Sequence, residues 1–437
     1  MTTDAHGAAD RAAVHRSIDA VWRIESAKLI AALARIVRDV GVAEDLAQEA
    51  LVKALEQWPK TGVPDKPGAW LMATAKHRAT DLFRRKQMLD RKHQEIGHGE
   101  AQRERAMPDA ESAIDEDIGD DVLRLMLTSC HPILTTEARV ALTLRLLGGL
   151  TTEEIARAFL LPTATIAQRI VRAKKTLADA GVPFEVPRAG ELAGRLSSVL
   201  EVLYLVFNEG YSATAGEDWL RPSLCEDALR LGRILAGLAP REPEVHGLVA
   251  LMEIQASRAR ARVDPSGQPI LLLEQNRARW DHLLIHRGLA ALARAEQLAG
   301  ARGPYALQAA IAACHARAPT AEQTDWTRIA ALYAVLAQVT PSPIVELNRA
   351  VAVSMADGPA AGLAIVDGLT AEPALASYHL LPSVRGDLLK KLGRFDEARS
   401  ELVRAASLTH NTRERDLLLV RAGACDPAGA RTSTQKH

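Results

Sequence analysis

Apolar side chains recur along most of this chain at spacings of three and four, the period of a helix with one buried face. From Ala43 to Trp58, the residues Ala47, Ala50, Leu51, Ala54, Leu55 and Trp58 fall on one side, and Asp45, Gln48, Glu49, Lys53 and Glu56 on the other. Pro59 is expected to stop that helix. The next begins near Pro67-Gly68 and runs to about Lys86, with Leu71, Ala75, Ala79 and Leu82 as its buried stripe. His77, Arg78, Asp81, Arg84 and Arg85 lie opposite. Further on, Thr151-Thr152-Glu153-Glu154 reads as a capping box that starts a short helix, with Ile155, Ala156 and Phe159 inward. Leu160-Leu161-Pro162 makes a turn, and a longer helix follows from near Thr163 on the apolar seam Ile166, Ile170, Ala173, Leu177. The pattern breaks around Gly181-Val182-Pro183 and Pro187, then continues as an almost unbroken series of amphipathic helices to about Gly423. The predicted fold class is all-α.

Composition agrees with that reading and narrows the function classes. The 437 residues exceed one compact core, so two to four domains are expected. Aromatic residues are 4%, while Ala, Leu and Arg dominate, as in helical proteins. No run of about 18 apolar residues occurs, so no membrane span is expected. Met1 to Arg11 is polar and lacks the apolar core of a secretory signal. Cys130, Cys225, Cys314 and Cys425 are far apart with no C-x-x-C pair, which argues against a disulfide framework or zinc cage and fits a reducing cytoplasm.

Formal charge is balanced, 54 Lys+Arg against 54 Asp+Glu, so any case for nucleic acid rests on segregation. Segregation is present. Lys76 to Lys92 holds seven basic residues against two acidic ones, whereas His93 to Val122 holds two arginines against ten carboxylates. The second stretch, with Gly97, Gly99 and Pro108, reads as a flexible linker. Arg157 to Leu177 then carries five basic residues and no acid.

Two of these segments suit DNA. On the helix after Pro67, a cationic face beside Trp70 offers charges for phosphates and a ring for an unstacked base; Trp70 as a core residue is the competing reading. Around residue 160, the short helix, tight turn and longer helix have the geometry that enters a major groove. Thr165, Gln168, Arg169 and Arg172 occupy the outward face near the start of the second helix, suited to base edges or nearby phosphates. Lys174 and Lys175 are better placed for the backbone. An ordinary helical hairpin with a basic face would share this pattern.

The ordered set resembles one family. Val42-Ala43-Glu44-Asp45-Leu46-Ala47-Gln48-Glu49-Ala50-Leu51 resembles the D-L-x-Q-E helix of region 2.2 of bacterial sigma factors. Trp70-Leu71 through Ala75-Lys76, then Asp81, Arg84 and Arg85, looks like regions 2.3 and 2.4. Thr165-Ile166-Ala167-Gln168-Arg169-Ile170-Val171-Arg172-Ala173-Lys174 resembles the T-V-x-x-R-x-x-R-A-R recognition helix of region 4. Two such domains joined by a short acidic linker are similar to the extracytoplasmic-function (ECF) sigma factors. The resemblance implies that Asp45, Gln48 and Glu49 face the β′ clamp helices of core RNA polymerase. It implies that Trp70, Lys76, His77, Arg78, Arg84 and Arg85 lie on the −10 element of promoter DNA. It further implies that region 4, with Thr165, Gln168, Arg169, Arg172, Lys174 and Lys175, reads the −35 element and meets the β flap. Many members have Asn where this chain has His77, so a −10 base preference does not carry over.

About 250 residues follow the part that resembles a minimal member. Gly386, Leu389, Gly393, Ala398, Leu402 and Ala405 have the spacings of a tetratricopeptide (TPR) unit, with Leu392-Gly393-Arg394-Phe395 in the turn. Ala350, Val353 and Gly362 make a weaker copy 36 residues earlier, and His410 stands where a proline is usual. Cys130-His131-Pro132, Leu203-Tyr204-Leu205-Val206-Phe207-Asn208-Glu209-Gly210-Tyr211, Leu272-Leu273-Glu274-Gln275-Asn276-Arg277 and Gly303-Pro304-Tyr305-Ala306-Leu307-Gln308 look like stretches of an ECF group with a TPR-like extension. That group is implied to be associated with small DGPF (YCII-like) proteins, a candidate partner of the extension.

The expected organisation is a region 2 domain over 10–86, an acidic linker over 87–118, a region 4 domain over 119–180 and a TPR-like domain over 188–425. A helix-turn-helix activator with a TPR sensor is the rival reading, and Asp45-x-x-Gln48-Glu49 with the helix from Trp70 to Arg85 argues against it. No H-E-x-x-H, G-x-S-x-G or P-loop occurs, so no enzyme, metal or cofactor is expected.

Overall fold

The computed structural model describes residues 2–96, 118–187, 189–212, 215–216, 220–298 and 303–425. They form two compact units, 1–202 and 203–437, with the boundary inside one helix. The fold is all-α; among the described residues, strands are confined to one pair of two-residue strands in the second unit, beside one isolated bridge.

In the first unit, α1 (Thr2–Val37) packs on α2 (Val40–Thr61), α3 (Pro67–Ile96) and α4 (Ile118–Ser129). Sequence patterning does not single out α1, because Leu29, Ile30, Ala31, Ala32, Leu33 and Ala34 are all buried. A helix covered on several sides has no single apolar stripe to detect. Asp39 caps α2 by accepting from the Val42 amide at 3.0 Å. Pro59 does not end α2: the helix continues to Thr61. Pro59 has no amide to donate to the Leu55 carbonyl, but only two helical residues follow it. The Thr61 hydroxyl donates to the Gln57 carbonyl at 3.1 Å, and the Gly62 amide to that of Trp58 at 2.9 Å.

Helix α3 overruns its expected end near Lys86 and reaches Ile96, because the added residues are helix formers and the first glycine is Gly97. Leu82 is 41% exposed rather than part of the buried stripe, which leaves Leu71, Ala75 and Ala79 as the core contacts. The acidic stretch expected to be a linker lies outside the described residues over 97–117. Its last members instead belong to α4, where Asp121 and Val122 are buried.

Helices α5 (Thr136–Leu146), α6 (Thr152–Ala158) and α7 (Thr163–Asp179) pack on one another. The first turns of α8 (Ala189–Tyr211) complete the unit, with Arg195 Nη2 donating to the Leu127 carbonyl at 2.7 Å and Arg139 paired to Glu201 at 3.0 Å.

The second unit is a sequential stack: α9 (Pro222–Leu238), α10 (Pro243–Ala256), α11 (His282–Gln297), α12 (Pro304–Arg317), α13 (Trp326–Val339), α14 (Pro343–Ala356), α15 (Pro359–Leu369), α16 (Leu380–Lys391), α17 (Phe395–Leu408) and α18 (Thr412–Gly423). Most of these helices pack on the next in sequence. The series is less continuous than its hydrophobic pattern predicts. Between α10 and α11 the chain makes three single-turn 3₁₀ segments and a bridge pairing Val263 with Pro269, because Pro265, Gly267 and Pro269 break the helix. A parallel pair of two-residue strands, β1 (Ala215–Gly216) and β2 (His410–Asn411), brings distant parts of this unit together.

The two repeat-like segments are α14–α15 and α16–α17. Each crosses at a glycine. A Cβ on Gly386 would stand 2.9 Å from Leu402 Cγ, and one on Gly362 would stand 2.5 Å from Ser354 Cβ and 2.7 Å from the Ala350 carbonyl oxygen. Small residues at these points let the paired backbones approach, and Ala350, Leu363, Leu389, Ala398 and Leu402 close the core around them.

Candidate nucleic-acid interface

The helix-turn-helix is built by local chemistry. The Thr151 hydroxyl accepts from the Glu154 amide at 3.1 Å, and the Glu154 carboxylate accepts from the Thr151 amide at 2.8 Å, so the capping box is complete. Leu160 adopts φ +51, which turns the chain sharply before Pro162. Pro162 precedes α7 and provides no side-chain cap, and its carbonyl accepts from the Thr165 amide at 2.9 Å. Ile166, Ile170, Ala173 and Leu177 are buried against α5 and α6 as the apolar seam requires.

The opposite side of α7 is a ladder. Ala164, Gln168, Val171, Arg172 and Lys175 are all exposed and follow spacings of three and four along one face. Thr165 and Arg169 are half-buried at its margin, and the Arg169 charge is among the influences that hold the Glu137 carboxyl below its usual range, after hydrogen bonds within the α5 first turn. Val171, 64% exposed, was not among the sequence candidates. Its spacing from Gln168 and Lys175 was the available signal. An exposed β-branched methyl pair beside an amide and a guanidinium can meet a thymine methyl.

The α2–α3 face is arranged differently. Asp45 has a 76% exposed side chain, Glu49 is exposed, and Gln48 is half-buried. Arg78 of α3 pairs with Glu49 at 3.4 Å, so one candidate DNA contact holds one candidate protein contact. His77 and Arg84 are exposed and Lys76 is half-buried, whereas the side chain of Arg85 lies outside the described residues. Trp70 satisfies part of each competing reading. It is half-buried, set edge-on to the buried Trp58 with ring centroids 5.3 Å apart, which fixes the indole while leaving part of it accessible.

A buried ionic cluster joins the two halves of the unit. Glu44, 3% exposed on α2, accepts from Arg145 Nε of α5 at 2.5 Å and pairs with Lys174 of α7 through its other oxygen. Lys174 also reaches Asp45 at 3.4 Å. Lys174, a candidate for the DNA backbone, has its ammonium shared between two carboxylates in this arrangement. Arg35 to Asp121 at 3.1 Å and Arg23 to Glu154 at 3.0 Å tie α1 to α4 and α6. Sequence reasoning placed Glu44 in the helix pattern and missed its role. Its position on the apolar side of α2 was the signal.

Comparison with known families matches this division of the unit. Residues 24–88 match sigma-70 region 2, and residues 124–177 match sigma-70, region 4.

The chain belongs to the sigma-70 family.

Residues 195–296 match a further family described as a family of unknown function (DUF6596), so this sigma-70 protein is of the ECF type with an extra C-terminal domain. An uncharacterized protein of Rhizobium meliloti (strain 1021) is 43% identical over 397 residues, covering 88% of this chain and 90% of its own. The two sigma-70 domains support a role in transcription initiation and imply interaction with core RNA polymerase and promoter DNA. Among the described residues, no helix is long and apolar enough to cross a membrane.

Proposed function

We propose that this protein directs promoter-specific initiation in the cytoplasm by joining core RNA polymerase, and that its C-terminal domain is a TPR-like module that modulates it. The observation that carries the reading is the exposed Gln168–Val171–Arg172–Lys175 ladder on α7, in the same unit as the acidic face of α2. In this reading Asp45, Gln48 and Glu49 meet the β′ clamp helices. Helix α3 captures the opened −10 strand, with phosphates on Lys76, His77, Arg78, Arg84 and Arg85 and a base against the fixed ring of Trp70. Helix α7 reads the −35 duplex, and its domain docks on the β flap. No enzymatic step or cofactor is involved. The close helix crossings at Gly362 and Gly386 support the repeat-like extension, whose proposed partner is a protein, with small DGPF (YCII-like) proteins as the candidates.

The Glu44–Lys174–Asp45 cluster adds a step. Asp45 and α7 cannot both be fully engaged elsewhere while Lys174 bridges them, so loading onto polymerase and DNA opens this contact. Run-off transcription tests the whole reading: the full chain with core polymerase is expected to give discrete promoter-dependent transcripts. Absence of specific initiation across a genomic promoter library sinks it.

Arg172→Ala is expected to weaken binding to the selected −35 duplex by about 1–3 kcal/mol, while Val171→Ala relaxes the preference for thymine at one position. Competition titrations against single-base variants of that duplex read both effects. Unaltered binding by the Arg172 variant removes this side chain from the interface.

A further inference from the structure

The second unit contains a cavity of about 270 Å³, lined from five segments of chain that sequence reading had no reason to bring together. Tyr204, Phe207, Asn208 and Tyr211 enter from α8, Leu251 and Gln255 from α10, and Arg258 from just beyond it. Gln308, Ile311, Ala312 and His315 come from α12, with Tyr333 from α13 and Leu272 from a 3₁₀ turn.

Its polar end is cationic. Arg258 is 9% exposed, and its Nη2 donates to the Tyr211 hydroxyl at 2.7 Å and to Gln255 Oε1. Its Nε is buried with no hydrogen-bond partner, and so is Nδ1 of His315, which is 8% exposed. Burial is the largest influence on Arg258 and lowers its pKa; the other groups acting on it are Tyr211, Arg262 and Tyr333, none of them a carboxylate. Arg262 stacks its guanidinium 3.6 Å from the Tyr211 ring centroid. Arg277 donates to the carbonyls of His315 and Ala318 and to the Thr324 hydroxyl. Among the described residues, Glu209 pairs with Arg221 and Glu253 with Arg233, while Glu322 acts on Arg277.

Arg258 is the guanidinium that lines this cavity, among the hydroxyls, amides and rings of its other described lining residues. A buried guanidinium without a counter-charge is costly, and an anionic ligand removes that cost. Phe207, Leu251, Ile311 and Ala312 give the lining its apolar part. Such a pairing, an apolar wall with a few converging polar groups, is how small-molecule sites are built.

We propose that this cavity is a binding site for a small organic anion, its carboxylate-type head on Arg258 Nε and beside His315 Nδ1, its flat apolar body against Phe207, Leu251, Ile311 and Ala312. The site goes beyond the promoter-binding reading and makes the C-terminal domain a metabolite sensor. Binding does not involve polymerase or DNA, so its test stands apart from run-off transcription.

The probes are benzoate, phenylacetate and cinnamate, each beside its neutral carboxamide, together with inorganic phosphate, in thermal melts of the full-length protein. At millimolar concentration at least one carboxylate is expected to raise the melting midpoint by about 3 °C, with its amide inert and phosphate giving less than half the shift. Arg258→Met abolishes the shift by removing the head-group contact. Ala312→Leu reduces it by filling the apolar end without touching the charges, and serves where the first variant fails to fold. Equal shifts with acid and amide, equal shifts with phosphate alone, no shift with any acid, or a full shift in Ala312→Leu each overturn the proposal.

Discussion

Arg145→Met is expected to destabilise the first unit by about 3 kcal/mol, the range found when one partner of a buried ion pair is removed. The loss follows from what remains. Glu44 is 3% exposed, and without Arg145 its Oε1 loses the 2.5 Å bond that compensates its desolvation. Lys174 still holds the other oxygen, so the carboxylate keeps one cation and the unit does not collapse. Glu44→Met combined with Arg145→Met is expected to recover more than half of the loss, because a matched apolar pair needs no charge compensation. In the double variant Lys174 keeps the exposed Asp45 as a partner. Amide exchange in α2, α5 and α7 measures the local stability directly, which matters in a chain of two units where a single global transition is not assured. Equal destabilisation by the single and double variants would show that the cluster's packing, and not its charge, carries the energy.

The second large effect is a pH response centred on His315. Burial, followed by the neighbouring Arg258 and Arg277 charges, pushes its pKa down to about 4 from the ordinary 6.5. Above pH 6.5 the ring is neutral in both folded and unfolded chains and contributes no pH dependence. Between 6.5 and 4 the unfolded chain takes up a proton that the folded chain refuses, so stability falls as pH falls. Below 4 the accumulated loss is about 3 kcal/mol. The groups facing the ring include Arg258, Arg277 and the Trp326 ring, whose centroid lies 5.1 Å away. None of these loses its charge or gains one in that window. His315→Gln is expected to flatten the melting midpoint of the second unit against pH over this range. An unchanged profile would assign the acid sensitivity to other groups.

What the sequence disclosed depended on how local the causes were. The capping box at Thr151 is four residues long, and the structure reproduces it bond for bond. The α7 seam and its outward polar face were equally legible, since a helix displays its faces in its own spacing. Val171 lies outside the seam through Ile170 and carries no polar group, so only its spacing marked it as part of the outward face. Pro59 and Leu82 misled for a related reason. Each follows a sound local rule, but an end-cap supplied by Thr61 and Gly62 and the finite reach of the core decided the outcome. Glu44 showed in the sequence only as a charge on the apolar side of α2, and Asp121 and Arg258 were beyond reach. Their partners lie from three to more than a hundred residues away, and only the folded chain tells a buried charge from a solvated one.

The commitment of Lys174 also bears on how the protein responds to ionic strength. A lysine that neutralises a phosphate displaces a condensed cation from the duplex, and each such displacement steepens the decline of affinity with salt by about 0.9 in logarithmic slope. Lys174 already neutralises Glu44. If α7 reads duplex DNA as proposed, then while that bond holds an arriving duplex gains counterion release from Arg172 and Lys175 but none from Lys174. On that reading the intact chain is expected to depend less on ambient salt than its basic helix suggests, and the full electrostatic pull on DNA develops once Lys174 is released from Glu44 and Asp45.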